Sequence, residues 1–345
     1  MITIKDVAKA ANVSISTVSR VMNAADNVNP DISKRVWSEI RRLGYTPNNA
    51  ARSLSRKSTN AIGVVVNNLH DPFFYNLIRG FEHGAAETNY SVVFCSAVSG
   101  DDKSKERYVR YLASGVTDGI ILYGSYLSDE KIIEWLVDTN TDFVLIENNM
   151  ESLHTNSLLI DNIGGAEKAV DYLYSQGHQL IAHISGNPNR KVSVDRFNGY
   201  LNSMHAHALD IKPDYIQYAS SDYRSGYERM KTLLQLENRP TAVFCADDAI
   251  ASFAVRAAVD SGFRVPEDIS VMGFDNQMLL PDNYRGPGLT TMDQPLYEIG
   301  KDSIRIMTEV LERPETEKRN QIQKVYPTNI VIRDSVGAPP EILRP

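Results

Sequence analysis

Two textures of hydrophobic spacing divide the chain. Up to Gly44, apolar positions recur three and four apart. Ile4, Val7, Ala8 and Ala11 form one stripe; Val18, Val21 and Met22 a second; Ile32, Val36, Trp37, Ile40 and Leu43 a third. Such spacing is the mark of amphipathic helices. The punctuation agrees with it. Thr3 stands three residues before Asp6, close to a capping box. Asn12-Val13-Ser14 makes a tight turn, and Ser14 caps a second helix over 15–22. Asn29-Pro30 opens a third helix with proline at its first position, and Gly44 closes it. Residues 47–56 have helical spacing over only two turns, too short to be stable alone. Residues 57–60 read as a polar linker.

From Ala61 short apolar runs alternate with amphipathic stretches. The runs 62–66, 92–95, 119–122, 143–146, 158–160, 180–184, 242–245 and 269–272 predict strands. Residues 73–88, 103–114, 129–137, 164–175, 193–207, 223–236 and 248–261 predict helices between them. Strand-helix-strand alternation implies parallel sheets wrapped by helices. About ten strands crowd a single open sheet, so the spacing predicts two similar lobes divided near Asp161. A helix over 295–311 and a strand over 325–332 follow. The tail 338–345, with three prolines, is expected to be flexible.

Charge changes the picture. The chain carries −7 overall, which argues against nucleic acid, but its distribution reverses that. Residues 1–60 hold ten Lys/Arg and four acids, a net +6 that puts −13 on the remainder. A basic head on an acidic body is the electrostatic footprint of a nucleic-acid binder whose body stays off the phosphates. With the turn at 12–14, the first two helices predict a helix-turn-helix. The second helix of that motif enters the major groove. Ile15, Ser16 and Thr17 open it, and Arg20 lies one turn later. Arg20 suits bidentate contact to a guanine, and Ile15 suits a thymine methyl. Ser16, Thr17 and Ser19 reach bases or phosphates. Thr3 and Asn23, at the two ends of the motif, complete the expected DNA-contacting set.

Other chemistry is thin. Cys95 and Cys245 sit in apolar runs and read as buried thiols. No apolar run approaches the ~18 residues of a membrane span, and the N-terminus lacks a signal-peptide core; a soluble cytoplasmic protein is expected. His205-x-His207 has no carboxylate or cysteine spaced beside it and reads as a solvated helix end rather than a metal site. Asp247-Asp248 are adjacent at a strand end and point apart, with Asp248 read as a helix cap. Walker A, HExxH and GxSxG patterns are missing. No catalytic set, metal or cofactor is expected.

The run from Ile4 to Asn23, IKDVAKAANVSISTVSRVMN, resembles the head of the lactose/galactose repressor family. So does Leu43-Gly44-Tyr45-Thr46-Pro47-Asn48, followed by Ala50-Ala51-Arg52-Ser53-Leu54. Asp71-Pro72-Phe73-Phe74, Gln176-Gly177-His178, 239–245, 265–270 and Gly273-Phe274-Asp275-Asn276 continue the likeness over roughly residues 2–335. The resemblance implies a hinge helix near 48–56 that folds on operator DNA. Leu54 would wedge between bases in the minor groove, where unstacking is offset by the bend it permits. Tyr45 and Asn48 would contact phosphate, and Ala51 the minor-groove floor. The body would be a periplasmic-binding-protein-like core of two doubly wound parallel lobes. Its expected segments are a head 1–46, a hinge 47–60, a first lobe 61–160 and 290–324, a second lobe 161–289 and 325–337, and the tail.

Ligands of open parallel sheets lie at the carboxyl ends of strands. Asp71, Asn148, Arg190, Arg196, Asp247 and Asp275 lie there, and each matches an effector position of the family. Arg196 and Asp275 carry other readings too: a lobe-to-lobe ion pair and a loop cap. Phe73, Phe74 and Tyr223 offer aromatic faces for stacking. Carboxylates, arginine and amides beside aromatics suit a sugar. The expected function is a ligand-responsive repressor of carbohydrate genes acting on a palindromic operator. Tetrameric members add a leucine-heptad helix; residues 337–345 are too short and too proline-rich for one, so a dimer is expected. The alternative is a catabolite-control regulator whose co-repressor is a phosphorylated carrier protein, because Tyr297-Glu298-Ile299-Gly300 resembles the region used there. A sugar transport protein or sugar enzyme is opposed by the basic head and the missing catalytic set.

Overall fold

A computed structural model describes residues 2–22, 28–46, 58–97, 102–124, 126–148, 153, 155–220, 222, 224–277, 280, 284–314 and 321–341. The chain folds as two units, Met1–Thr59 and Asn60–Pro345. In the first, α1 (Ile4–Ala10), α2 (Ile15–Met22) and α3 (Pro30–Leu43) enclose a small core of Val7, Ala8, Ala11, Val18, Val21, Val36 and Ile40. Thr3 and Asp6 close the capping box, Asn29 accepts from the Asp31 amide at 2.8 Å, and Gly44 ends α3 in the left-handed region. Trp37 departs from its predicted place in that core and is 43% exposed. Val36 and Ile40 fill the space one turn apart, and the neighbouring indole projects outward.

In the second unit, β1 (Ala61–Val66), β2 (Ser91–Ser96), β3 (Gly119–Tyr123), β4 (Phe143–Ile146), β5 (Asn156–Ile160) and β11 (Gln323–Tyr326) form one parallel sheet, ordered β11-β5-β4-β3-β1-β2. A second parallel sheet, ordered β7-β6-β8-β9, holds β6 (Ile181–Ser185), β7 (Ile216–Tyr218), β8 (Ala242–Cys245) and β9 (Ser270–Met272). Both faces of each sheet are covered. Val64 and Val66 enter one core while Val65 enters another, and Ile184 and Ile181 divide the same way in the second lobe. This is why the strands read as unbroken apolar runs instead of alternating ones.

The first crossing between lobes falls at Asp161, because α7 (Asn162–Ser175) already packs on the second sheet. The other two differ from expectation. β10 (Thr291–Asp293) pairs antiparallel with β12 (Asn329–Val331) beside the second sheet, so the return lies after Asp293 instead of near Leu289. Then α11 (Leu296–Glu312) packs on the first lobe. The strand expected over 325–332 is two strands. Val325 and Tyr326 pair with β5 in the first lobe, and the third crossing follows at 327–328. Pro327 has no N–H to donate, which breaks a strand at that point. The tail expected to be flexible is docked over its described part. Pro339 is buried, its ring near Gly177, and His178 Nε2 lies 2.9 Å from the Gly337 carbonyl.

Candidate functional site

The head presents one polar helix face. Val18 and Val21 of α2 are buried, which turns Ile15 (44% exposed), Ser16 and Arg20 outward. The Ser14 hydroxyl meets those of Ser16 at 2.7 Å and Thr17 at 2.8 Å, and accepts from the Thr17 amide. The start of α2 is therefore held rigid while Arg20 projects from its last turn. Thr17 and Ser19 are half-buried at the edge of this face. Thr3 is occupied in its cap, where its hydrogen bonds lower the Asp6 carboxyl below its usual range. Tyr45 packs half-buried against the head core. Asn23, Asn48, Ala51 and Leu54 lie outside the described residues.

In the second unit a cleft opens at the carboxyl ends of both sheets. Of the residues the sequence singles out, Asp71, Phe74, Arg190 and Asp247 line it. Asp71 accepts from the Phe73 amide at 3.0 Å, starting the short turn that sets Phe74. Asp247 accepts from the Ile250 amide at 2.7 Å and is the N-cap of α10 (Asp248–Asp260). The cap predicted for Asp248 thus belongs to Asp247. Asp248 instead turns inward, accepting from Thr291 Oγ1 at 2.6 Å and the Gln277 amide at 2.8 Å. Burial pushes the Asp247 carboxyl up, and the arginines 190 and 196 pull it back.

Arg196 and Asp275 lie behind this lining. They form an ion pair at 3.0 Å, and both belong to the second lobe, so the pair does not join the lobes. Arg196 also donates to Asn162 Oδ1 at 2.8 Å and the Ala246 carbonyl at 2.6 Å, with its guanidinium 3.8 Å above the Phe274 ring. Gln294 donates to Asp275 and Asn162 to Glu147 Oε2, extending a buried chain from the first lobe to the second crossing. Glu147 is 3% exposed; burial pushes its carboxyl up to about 7. Asn148 is buried beside Gly124, and Phe73 stands edge-on to Phe74 and Tyr123. Tyr223 lies outside the described residues. Among those described, no group of three or more His, Cys, Asp or Glu is arranged to hold a metal, and no helix is long and apolar enough to cross a membrane.

Known proteins match both units. Residues 3–48 match bacterial regulatory proteins of the lacI family, and residues 170–336 match a periplasmic binding protein-like domain. The HTH-type transcriptional repressor PurR of Aliivibrio salmonicida is 33% identical over 97% of this chain and 99% of its own length. The HTH-type transcriptional regulator RegA of Clostridium saccharobutylicum is 35% identical over 92% and 95%. Catabolite control protein A of Priestia megaterium is 33% identical over 90% and 93%.

The chain belongs to the LacI family of bacterial transcriptional regulators.

Solved structures agree. A lac repressor dimer bound to operator and the anti-inducer ONPF superposes with a TM-score of 0.85 at 25% identity, covering 98% of this chain and 99% of that one. A complex of the regulator CelR with cellobiose gives 0.72 at 28% identity, covering 97% and 100%. The fold of a LacI-family regulator accounts for the cleft residues that sequence reading missed. Asn67 and Asn68 follow β1, Tyr126 follows β3, Asn187 follows β6, and Ser220 follows β7. All lie just past strand ends, where open parallel sheets bind ligands. Their position just past a strand end, rather than any family match, is the signal that marks them.

Proposed function

We propose that this LacI-family regulator is a repressor of carbohydrate-utilisation genes, binding a palindromic operator as a dimer and taking a sugar in its cleft. The lining of the cleft carries the reading. Asp71 and Asp247 supply carboxylate acceptors, and Asn67, Asn68 and Asn187 add amides, with Arg190 as the cation and Phe74 and Tyr126 as ring faces. A ligand for such walls must bring many O–H donors and a flat apolar face, and a pyranose has both. On this reading Arg196 and Asp275 stiffen the cleft floor from behind. The sugar acts through its differential affinity for two lobe arrangements. Arg20 and Ile15 read bases, and Leu54 of the hinge enters the minor groove. Isothermal titration of the full-length protein against a panel of mono- and disaccharides, with operator binding followed in parallel, tests it. A panel in which no sugar binds or alters operator affinity removes the sugar reading.

One observation favours a second reading. The likeness to catabolite control protein A brings Tyr297–Gly300 into play. Glu298 is exposed there, but Tyr297 is bonded to His83 at 2.8 Å and Gly300 is buried in a helix crossing. Titration with a phosphorylated carrier protein separates the two: tight binding without any sugar supports the co-repressor reading.

A further inference from the structure

The two lips of the cleft touch between residues 126–127 and 189–190. Tyr126, beyond β3 in the first lobe, and Arg190, beyond β6 in the second, form an isolated antiparallel bridge. Next to it the Leu127 N–H donates to the Asn189 carbonyl at 3.0 Å. Behind the first-lobe lip, Lys105 of α5 (Asp102–Tyr111) places its Nζ 2.8 and 2.7 Å from the two oxygens of Asp129. Their side chains are only 4% and 1% exposed. Asp129 Oδ2 also accepts from the Tyr126 amide at 3.0 Å. The Tyr126 ring is near two cations, with Lys105 Nζ at 5.5 Å and Arg190 Cζ at 5.7 Å from its centroid. Both distances are within the range of cation–π attraction.

A buried ion pair contributes little net stability compared with a well-packed apolar pair of the same volume. Here it does something an apolar pair does not: its carboxylate grips the backbone of the residue that meets the other lobe. We propose that Lys105 is a positioning residue for the cleft. Through Asp129 it fixes Tyr126 against Arg190, and the resulting latch biases the lobes toward the closed arrangement. This rests on the cleft being the effector site. Any ligand that enters must wait for the latch to open, and any ligand that stacks on Tyr126 strengthens it.

Hydrogen exchange at the Leu127 amide of the full-length protein, with no ligand added, tests the latch. The paired variant Lys105→Met with Asp129→Leu removes both charges of the ion pair together. Exchange at Leu127 is expected to be about tenfold faster in it, while amides of Ile121 and Val144 in the sheet keep their wild-type rates. An unchanged Leu127 rate overturns the proposal. If the sheet amides also accelerate, Tyr126→Ala carries the test with the ion pair intact: the same tenfold gain is expected, and no gain overturns the latch. Tyr126→Phe keeps the ring near both cations and should exchange like wild type, which a general loosening of the loop would not produce. Because no sugar enters the measurement, its failure leaves the effector reading standing.

Discussion

Arg196 and Asp275 face each other at 3.0 Å within the second lobe, their side chains 6% and 7% exposed. Burial raises the Asp275 carboxyl and the guanidinium pulls it back, so each depends on the other for solvation. Removing one partner of such a pair strands the other. Asp275→Ala should therefore lower unfolding stability by about 3–5 kcal/mol, read by urea denaturation. Asp275→Asn keeps an acceptor for Gln294 and Arg196 and should fold. It should retain operator binding while its ligand dose-response is lost. A dose-response identical to wild type would remove Asp275 from the effector machinery.

Asp247 has two roles that one substitution can separate. It caps α10 and faces the cleft. Asparagine caps a helix as well as aspartate does, whereas alanine does not. Asp247→Asn should leave thermal stability near wild type and weaken sugar binding at least tenfold, since a charged hydrogen bond becomes a neutral one. Asp247→Ala should lose the same affinity and a further 0.5–2 kcal/mol or so of stability. Equal sugar affinity in wild type and Asp247→Asn would leave only the cap.

Glu147 predicts a pH dependence with a definite sign. Burial lifts its carboxyl from 4.5 to about 7, so the folded protein holds this proton where the unfolded chain has lost it. Stability from this group falls as pH rises from 4.5 to 7 and stays low above. Glu147→Gln removes the effect. The variant should be more stable than wild type at pH 8, by on the order of 3 kcal/mol, with the difference closing near pH 4. His178 and His183, held neutral with values lowered to about 4 and about 3, act in the opposite sense below pH 6.5. They do so in both proteins and cancel from the comparison. Denaturation midpoints across this range check the sign, and a difference that grows toward acid pH contradicts it.

The head and both sheets were legible because their apolar periodicity is local. The predicted bounds of α2 match the observed ones, and the eight predicted strands all appear. What escaped was set by distant partners. β7, β10 and β12 are three-residue strands that exist only through their neighbours. Pro327 was the visible sign that the last strand divides. Trp37 has the spacing of a core residue, yet Val36 and Ile40 already close that core. In the cleft, Asp71, Phe74, Arg190 and Asp247 were found, while Tyr126 and Ser220 were missed because nothing local marks a hydroxyl or ring as cleft-facing. Glu147 was missed beside Asn148: both are buried, and nothing in the local spacing marks two adjacent polar residues as turning inward together. Glu147 sits at φ +65°, which aims its side chain toward Asn162.

The segment Tyr297–Gly300 divides into core and surface. A Cβ at Gly300 would lie 2.2 Å from the Leu77 carbonyl, and one at Gly80 would lie 2.2 Å from the Tyr297 carbonyl. α11 and α4 (Tyr75–Ala86) therefore cross backbone to backbone. Gly300→Ala must push the helices apart and should cost roughly 1–3 kcal/mol or more, seen as a lower thermal midpoint. Glu298→Ala touches only the exposed part and should melt like wild type. If a phosphorylated carrier protein is the co-repressor, Glu298→Ala is the variant whose binding to it should weaken; equal binding by both proteins removes Glu298 from such an interface.

Arg20 tests base reading most directly. It is exposed on the last turn of α2, and the packing of Val18 and Val21 fixes the direction it points. A bidentate contact to guanine discriminates by ~1–3 kcal/mol, about 5- to 150-fold. Arg20→Ala should lower the preference for a palindromic operator over scrambled DNA by that factor in each half-site. It should leave sugar affinity and thermal stability unchanged, because the side chain supports no core contact. The comparison must be made at one salt concentration, since losing any cation weakens binding to all DNA. A uniform loss on operator and scrambled duplexes alike would make Arg20 a phosphate contact. A selective loss on the operator would make it a base reader.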